Sequence, residues 1–512
     1  PGARLLARPL TPLSDFHALA RSPEPIACEM GVGRALLRGP DADAEMTWSR
    51  GGWFHAHETW WNATYAHEQN RGYDFTEDVP SPGHLEVDLD DGPVTLSLRE
   101  TRTPAEVAPE PRSDDPADAF VVRSGGPPGD CPSRTVLAGY PWFGDWGRDT
   151  MIALPGLLLD RGLFDDARDV LARFAGAISR GLLPNRFSDS GEGAEYNTAD
   201  ASLWFLHAAT EWAMRSGEAE EFTRVLLPAC LAIVDAYTAG TEADGAPVGV
   251  DPEDGLVVAG HATSQLTWMD ARRDGVTFTP RHGKPIELSA LWVHGLTRLA
   301  GFDTGGRRGE LKALAERAAE SVRRLFYDGE RGWCADRLEA DGTGWRPVFE
   351  LRPNQLFAVS LEYGPMRGEP ARRLVRSCVD RLWTPRGVRT LDPADPAYRP
   401  RFEGTMFERD ASYHQGTAWP WLLGPMVEAW QRAELPSADA VALIRPMLSG
   451  TGSPLPGQIA EVYDADGWAG TPASWALNAD DPQRPGGCPA QAWSVSEVFR
   501  AARLLGLVPV PA

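Results

Sequence analysis

Two carboxylic acids far apart in the chain, Asp270 and Glu461, have the surroundings that an acid and a base need. Asp270 follows Trp268 and Met269, and an apolar setting of this kind raises the pKa of a carboxyl group and keeps it protonated, as a general acid requires. Glu461 lies among polar neighbours in the segment 457–464 and can stay ionised as a base that activates a water. The two residues are 191 positions apart, and most of the 72 acidic residues of the chain are expected to be solvated. Other motifs must therefore support the assignment of this pair as an acid and a base.

The segment 139–150, Gly-Tyr-Pro-Trp-Phe-Gly-Asp-Trp-Gly-Arg-Asp-Thr, suits the binding of a sugar. Aromatic faces stack on the apolar C–H faces of a sugar ring, while a guanidinium and a carboxylate bond its hydroxyls. The candidate binding residues are Tyr140, Trp142, Trp146, Arg148 and Asp149. A buried aromatic turn with a structural ion pair explains these twelve residues equally well.

Three further segments, 352–355, 413–421 and 485–493, combine planar polar side chains with aromatic rings at the entrances of predicted helices. Such a combination is typical of a saccharide pocket. Together with Trp268 they supply the candidates Arg352, Asn354, Gln355, His414, Gln415, Trp419 and Gln491. Taken singly, each segment also fits helix capping and core packing.

Lys284 and Glu287 complete the set of candidate binding residues. The chain contains only two lysines, Lys284 and Lys312, among 50 basic residues. A compact ammonium differs from a guanidinium at specific sites, so the retention of Lys284 in the segment 281–287 indicates a role there. Chance retention in a loop is the alternative.

The composition favours a neutral ligand. The formal charge of -22 and the pI near 4.9 argue against a nucleic-acid partner or an anionic membrane, both of which attract positive charge. The sequence has no phosphate-binding glycine loop and no Gly-x-Ser-x-Gly segment. His55, His57 and Glu58 fit a half-buried strand better than a metal site, so we predict no metal and no cofactor.

Six singly spaced cysteines predict free thiols in a reducing compartment. We find no signal pattern and no apolar run long enough to span a bilayer, so the expected location is cytoplasmic. The oligomeric state stays open.

Residues 1–105 are predicted to form a smaller β-sandwich-like domain. The segment 84–98 alternates apolar and polar residues around Asp90-Asp91-Gly92-Pro93, which predicts a hairpin. The segment 106–119 is rich in Pro, Glu and Asp and is predicted to be a linker.

Residues 120–512 are predicted to be mainly helical. Short turns alternate with long loops, which indicates stacked helical hairpins with the long loops on one face. The fold class is therefore a six-hairpin, or (α/α)6, toroid; a twelfth helix is expected just before Phe120. The eleven predicted helices lie near 150–160, 165–179, 198–216, 220–239, 286–301, 308–327, 353–364, 368–383, 417–432, 437–449 and 491–506.

With these motifs in view, the chain resembles the glycogen debranching enzyme family, in particular its amylo-α-1,6-glucosidase part in the form found in prokaryotes. The resemblance covers residues 120–506, and the segment 71–83 is similar to the end of the prokaryotic N-terminal domain. The motifs occur in the family's order at 138–150, 267–271, 283–292, 352–355, 413–421 and 457–461.

The resemblance implies an (α/α)6 barrel and an inverting hydrolysis that removes α-1,6-linked glucose stubs from glycogen or limit dextrin. It implies that Asp270 is the acid and Glu461 the base, and that Arg148 and Asp149 hold the departing glucose. Inversion requires carboxyl groups ~6.5–9.5 Å apart, which leaves room for a water. A trimmed N-terminal domain is expected, and the sequence shows no second, transferase barrel.

Two alternatives stay open. One is a glucoamylase-like or trehalase-like enzyme on the same scaffold, because details of the pocket set the choice of linkage. The other, from a different class, is a non-catalytic protein that binds α-glucan.

Overall fold

The computed structural model describes residues 3–13, 19–21, 26–101, 115–124, 133–187, 193–449, 455–466 and 483–507. The chain divides into two compact units, Pro1–Arg112 and Ser113–Ala512. The predicted linker residues 106–114 lie outside the described residues.

The described part of the N-terminal unit contains two antiparallel sheets and one short helix, α1 (Ala66–Arg71). One sheet has the order β1–β6–β5 and the other β2–β3–β4–β7. The strands are β1 (Arg4–Ala7), β2 (Ala27–Gly31), β3 (Arg34–Arg38), β4 (Asp43–Trp48), β5 (Gly52–Thr64), β6 (Thr76–Asp88) and β7 (Leu96–Glu100).

The core of this unit follows from the two-residue period of β3 and β4. Ala35 pairs with Met46 and Leu37 pairs with Ala44, so these four buried side chains share one face. Trp53 on β5 packs against this core, and its ring stacks on that of Trp48 at 5.7 Å. The two sheets therefore share apolar contacts, as a β-rich domain requires.

The predicted hairpin at 84–98 is wrong, although both of its strands exist. β6 pairs with β1 and β5, whereas β7 pairs with β4 of the other sheet, where Leu98 lies opposite Met46. A 3₁₀ turn at Leu89–Asp91 and Gly92, whose φ is 101°, carry the chain from one sheet to the other. Alternation identifies a strand but not its partner.

Helices dominate the second unit. Its α-helices are α2 (Gly147–Leu157), α3 (Phe164–Gly176), α4 (Ala201–Ser216), α5 (Ala219–Glu221), α6 (Leu227–Ala239), α7 (Ile286–Leu299), α8 (Arg308–Leu325), α9 (Phe357–Ser360), α10 (Gly368–Leu382), α11 (Met406–Tyr413), α12 (Leu423–Arg432), α13 (Ser437–Leu448) and α14 (Ala492–Leu504). A π-helix at Phe222–Leu226 joins α5 to α6, and 3₁₀ turns lie at Pro116–Ala119, Leu159–Arg161, Pro353–Leu356 and Pro420–Leu422.

These bounds correct several predicted ones. The helix expected before Phe120 is a 3₁₀ turn of four residues, capped by Asp115, whose Oδ1 accepts from Ala117 N at 3.0 Å. The helices expected at 353–364 and 417–432 begin as 3₁₀ turns. The helix α11 was not predicted. Its start is marked by a capping box between Thr405 and Glu408.

Within the described residues, six helices contact one another in a closed cycle, α2–α4–α7–α9–α12–α14 and back to α2. We call this set the helix cycle. Every residue of α2 is buried, and α7 is buried except for Thr297, as expected for helices packed on all sides. In contrast, α8 buries one stripe against α7.

Short strands connect the loops at the N-terminal ends of the helix cycle. In the described residues, β25 pairs with β26, so Ala418 lies opposite Tyr463, and β28 pairs with β9, so Gln491 lies opposite Gly139. This pairing joins segments that are distant in the sequence. The strands of this unit are β8 (Val121–Ser124), β9 (Ser133–Tyr140), β10 (Phe143–Asp145), β11 (Arg186–Phe187), β12 (Ala194–Glu195), β13 (Thr241–Ala243), β14 (Ala246–Val250), β15 (Val257–Ala259), β16 (Arg272–Arg273), β17 (Val276–Thr277), β18 (Lys284–Pro285), β19 (Tyr327–Asp328), β20 (Trp333–Cys334), β21 (Arg337–Ala340), β22 (Trp345–Val348), β23 (Trp383–Thr384), β24 (Gly387–Arg389), β25 (Ala418–Trp419), β26 (Val462–Tyr463), β27 (Pro485–Gly486) and β28 (Ala490–Gln491).

One helical stretch, Ala219–Ala239, is long and apolar enough to cross a membrane by length and composition alone. Its side chains Leu227, Cys230, Ile233 and Val234 are buried in the core of the second unit. Core helices of soluble proteins meet the same criterion.

The described cysteines, Cys28, Cys230, Cys334, Cys378 and Cys488, are free thiols. Among the described residues, no three His, Cys, Asp or Glu side chains gather as metal ligands. His55 and His57 lie on β5 and are exposed.

Candidate active site

A pocket of about 300 Å³ lies at the N-terminal ends of the helix cycle. It brings together nine of the predicted site residues, which come from five separate segments of the chain. These nine are Trp146, Arg148, Asp149, Trp268, Asp270, His414, Trp419, Glu461 and Gln491.

Arg148, in the first turn of α2, is the central cation of the pocket. Its Nε donates to both carboxylate oxygens of Asp200 at 2.9 Å, and its Nη1 donates to Oδ2 of Asp270 at 2.7 Å. Its Nη2 is buried and has no hydrogen-bond partner among the described residues. One N–H group of a buried guanidinium therefore remains available to a ligand.

The structure corrects the expected charge of Asp270. Burial raises the pKa of this carboxyl group, but the charge of Arg148, its hydrogen bond to Asp270 and the nearby His414 ring outweigh burial, so the pKa lies below its usual value. The Nε2 of His414 is 3.8 Å from Oδ1 of Asp270. Asp270 is thus ionised before substrate binds. The sequence-based expectation relied on the apolar neighbours Trp268 and Met269, which give no indication that Arg148 contacts Asp270.

Asp149 has the opposite character. It is buried, and burial together with the negative charges of Glu461, Asp270 and Asp200 raises its pKa well above its usual value, although the charge of Arg148 opposes the shift. Burial next to like charges disfavours the ionised form. Asp149 therefore binds a proton more readily than an ordinary Asp side chain does.

Glu461 is held by groups on both sides. Its N–H donates to Cys488 O at 2.8 Å, and its Oε2 accepts from Cys488 N at 2.9 Å. The hydroxyl of Tyr413 hydrogen-bonds the same side chain, and burial and this carboxylate together raise the pKa of Tyr413. Gly487, at φ +60°, permits the carboxylate of Glu461 to lie close to the backbone there, because a Cβ at position 487 would be 2.4 Å from Oε2 of Glu461.

A layer of aromatic side chains forms one wall of the pocket. The ring of Trp268 meets His414, Trp419 and Trp421 edge-on at 5.3, 5.4 and 5.1 Å. Trp493 stacks on Trp421 at 5.3 Å. Rings held in this way present rigid apolar faces, which suit the C–H face of a sugar.

The other eight candidates do not line this pocket, and four of them hold lining residues in place. Arg352 donates to His414 O at 2.8 Å and to Oε1 of Gln415 at 2.8 Å. Asn354 accepts from Trp268 Nε1 at 2.7 Å, and Gln355 donates to Arg352 O at 3.1 Å. These four fix the orientation of Trp268 and of the His414 backbone.

The remaining four lie further away. Glu287 is buried in an ion pair with Arg281, and Lys284 is fully buried, with its Nζ 2.7 Å from Asp251 and 2.5 Å from Asp254. Tyr140 donates to Ala119 O at 2.5 Å, and Trp142 is buried. Lys284 is therefore part of an internal charge cluster rather than a chance survivor in a loop.

Some lining residues were not selected from the sequence. Asp200, which pairs with Arg148, lies next to the pocket at the start of α4 and carried no motif of its own. Tyr413 and Trp493 belong to segments that had been singled out. The other lining residues are Phe143, Asn185, Asn197, Asp244 and Gln265.

Two protein-family models match this chain. The first, described as amylo-alpha-1,6-glucosidase, matches residues 116–500, which is more than half of the chain. The second, described as glycogen debranching enzyme N terminal, matches residues 2–95.

A curated relative, the glycogen debranching enzyme of Saccharomyces cerevisiae, is 25% identical over an alignment 387 positions long that covers 58% of this chain. The aligned part is 25% of the relative, so this chain spans about a quarter of that protein.

The chain was also compared with solved structures, and one of them supports the fold. An uncharacterized conserved protein from Thermus thermophilus aligns with a TM-score of 0.50 at 14% identity, over 72% of this chain and 95% of that chain. A wild-type glycosidase aligns with a TM-score of 0.48 at 16% identity, over 73% and 92%. At these identities the likeness concerns the fold alone.

Proposed function

Because the chain belongs to the amylo-alpha-1,6-glucosidase family, a family of glycoside hydrolases, we propose that it removes α-1,6-linked glucose stubs from glycogen or limit dextrin with inversion at the anomeric carbon. The observation that carries this proposal is the pocket in which Arg148, Asp149, Asp270 and Glu461 meet an aromatic wall. The net charge of -22 is compatible with a neutral branched glucan, and we place the reaction in the cytoplasm.

We propose that the helix cycle is the inner ring of an (α/α)6 toroid within a catalytic domain at 120–512, preceded by a β-sandwich-like domain at 1–105. The closed order of contacts supports this arrangement, as does the packing of α3 and α6 on α4, of α8 on α7 and of α13 on α12 and α14. A pocket at one end of such a ring can draw residues from several hairpins.

Arg148 and Asp149 are proposed to hold the glucose that leaves. The free Nη2 of Arg148 can donate to a sugar hydroxyl, and a protonated Asp149 can donate and accept. Trp146 and the wall of Trp268, Trp419 and Trp493 cover the apolar face of the ring. These contacts confine one glucose unit and its linkage oxygen next to the two catalytic carboxyl groups.

Asp270 is proposed to donate the proton and Glu461 to accept one. As the bond between the anomeric carbon and the linkage oxygen breaks, the proton of Asp270 goes to that oxygen. A water gives its proton to Glu461 and its oxygen to the opposite face of the carbon, so glucose leaves as the β-anomer. Tyr413 and Cys488 N orient Glu461 for this task.

Asp270 must gain a proton before it can act, because Arg148 keeps it ionised until substrate binds. Asp149 and Asp270 interact electrostatically, so the protonation of each carboxyl group depends on the charge of the other. A saccharide that excludes water from Asp270 and draws Arg148 toward its hydroxyls raises the pKa of Asp270. Binding of the substrate thereby prepares the acid.

The test is the release of glucose from phosphorylase limit dextrin, compared with maltose, isomaltose and trehalose. We expect release from limit dextrin, with fresh product appearing as the β-anomer by NMR. Preference for maltose or trehalose would favour a glucoamylase-like or trehalase-like enzyme. Binding without release from any of the four would indicate a glucan-binding protein, and an α-anomer would contradict inversion.

A further inference from the structure

A second cavity, of about 400 Å³, lies at the opposite ends of the same six helices. All six contribute lining residues near their C-terminal ends, among them Pro155 of α2, Arg298 of α7 and Glu428 of α12. This volume is within the range of about 300–1,000 Å³ that small-molecule sites occupy. No residue that lines the active-site pocket lines this cavity.

The charges around the second cavity are matched. Arg298 pairs with Glu211 at 2.8 Å and with Glu362 at 2.6 Å. Arg500 pairs with Glu428 at 3.1 Å and with Glu497 at 2.7 Å, and Arg215 and Arg432 also have carboxylate partners. Arginines in last turns stabilise helix C-termini, and the carboxylates offset their charge. The site thus favours a neutral ligand over an ion.

Two histidines add neutral polar groups. Nδ1 of His207 is 3.1 Å from Nε2 of His294. Burial lowers the pKa of His207 to about 4 and that of His294 well below its usual value, so both rings are neutral near pH 7. Because Nδ1 of His294 accepts from Tyr363 N at 3.4 Å, the pair leaves Nε2 of His207 as the ring nitrogen that can bond a ligand hydroxyl.

Two buried donors that line the cavity have no partner among the described residues. They are Nε of Arg298 and Nε1 of Trp421. A buried N–H without a partner costs free energy, which a hydrogen bond to a ligand acceptor would recover. Both donors belong to side chains that are less than one-tenth exposed.

Aromatic rings complete the lining and separate the two cavities. Trp204 meets Phe357 edge-on at 5.3 Å, and Phe357 stacks on Trp421 at 5.8 Å. Trp421 in turn stacks on Trp493, which lines the active-site pocket. The same aromatic layer therefore borders both cavities.

From this juxtaposition of paired charges, neutral imidazoles, unpartnered donors and aromatic faces we infer that the second cavity binds a neutral saccharide of one or two hexose units. It is a non-catalytic site, since the carboxylates among its described lining residues are held in ion pairs with arginines and do not face the ligand as an acid or base would. It goes beyond the proposed hydrolysis and does not depend on it.

The test measures moles of radiolabelled glucose bound per mole of full-length protein by equilibrium dialysis. Leu504 and Met214 line the cavity, and because 42% and 52% of their surfaces are exposed, larger side chains there are tolerated. We expect Leu504→Trp and Met214→Trp each to bind one mole of glucose less per mole of protein than the unmodified protein does. The matched control is Leu507→Trp, also exposed but outside the cavity lining, and its binding is expected to be unchanged.

Equal binding by the unmodified protein and both cavity variants would overturn the inference, as would saturable binding of inorganic phosphate at this site without glucose. Glucose release from limit dextrin is measured on the same variants. Loss of one bound glucose with retained release supports the second site, whereas absence of release in the unmodified protein overturns only the proposed hydrolysis.

Discussion

Arg148 and Asp270 share a hydrogen bond of 2.7 Å across 122 residues of sequence. The same guanidinium holds Asp200 and leaves one buried N–H unbonded among the described residues. A single residue in the first turn of α2 therefore sets the charge of the proposed acid and offers a donor to the substrate.

Replacing Asp270 by Asn removes the transferable proton but keeps an acceptor for Arg148. We expect the rate of glucose release to fall by about 10²–10⁴ with little change in stability, because positioned proton transfer contributes about that factor. Initial rates on limit dextrin measure it. Asp303→Asn, an exposed Asp outside the pocket, is the control, and near-normal turnover in Asp270→Asn contradicts the assignment.

Replacing Glu461 by Gln removes the base but leaves the contacts with Cys488 N and Tyr413 possible. Glucose release should fall by a similar factor of about 10²–10⁴, while binding of a short saccharide is retained. Kinetics and equilibrium dialysis on the same sample separate the two effects. Glu316→Gln on the outer face of α8 should behave as the unmodified protein.

Replacing Asp149 by Asn mimics its protonated form. Since the pKa of Asp149 is raised in the folded protein, its contribution to stability is complete below the unfolded value of about 3.9 and is lost as pH rises toward the folded value. Asp149→Asn should therefore be more stable than the unmodified protein at pH 7 and similar to it near pH 4. Urea unfolding at the two pH values measures this, and a stability difference independent of pH would contradict it.

Replacing Arg148 by Lys shortens the reach of the cation. The ammonium lacks the planar fork that places Nε–H at Asp200 and Nη1–H at Asp270, so at least one of these two buried contacts is lengthened or lost, which costs up to about 3–5 kcal/mol. Midpoints of thermal unfolding measure the loss. Arg168→Lys, at an exposed pair with Asp169, should shift stability by less than about 0.5 kcal/mol.

The two lysines of the chain allow a matched comparison. Lys284→Met leaves Asp251 and Asp254 without their buried ammonium and should cost several kcal/mol, while Lys312→Met on the surface of α8 should cost little. Because Lys284 does not line the pocket, the KM of the folded fraction should not change. A raised KM with unchanged stability would show that Lys284 contacts substrate instead.

The sequence predicted those parts of the fold that depend on local periodicity. The stripe Leu311, Leu314, Ala315, Ala318 and Val322 is buried in α8 as its spacing indicates. The separation of β6 and β7 into two sheets was not predictable, because alternation does not encode a partner.

For the site, motif order was sufficient to select nine residues that line one pocket, but not their charge states. The charge of Asp270 depends on Arg148 and His414, which are 122 and 144 positions away. Asp200 was not predicted as a site residue, because its role depends on the ion pair with Arg148 in the folded protein and not on its sequence neighbours.

The contact between α2 and α14 determines when the helix cycle can close as the chain is synthesised. Ser496 donates to Ala153 O at 2.7 Å and Arg503 to Gly156 O at 3.0 Å, across more than 340 residues. The helix cycle therefore cannot close until α14 has left the ribosome, and Gln491 and Trp493 reach the pocket only then. Contacts so remote in sequence slow folding, so a nascent chain exposes the apolar helices between α2 and α14 until α14 is made.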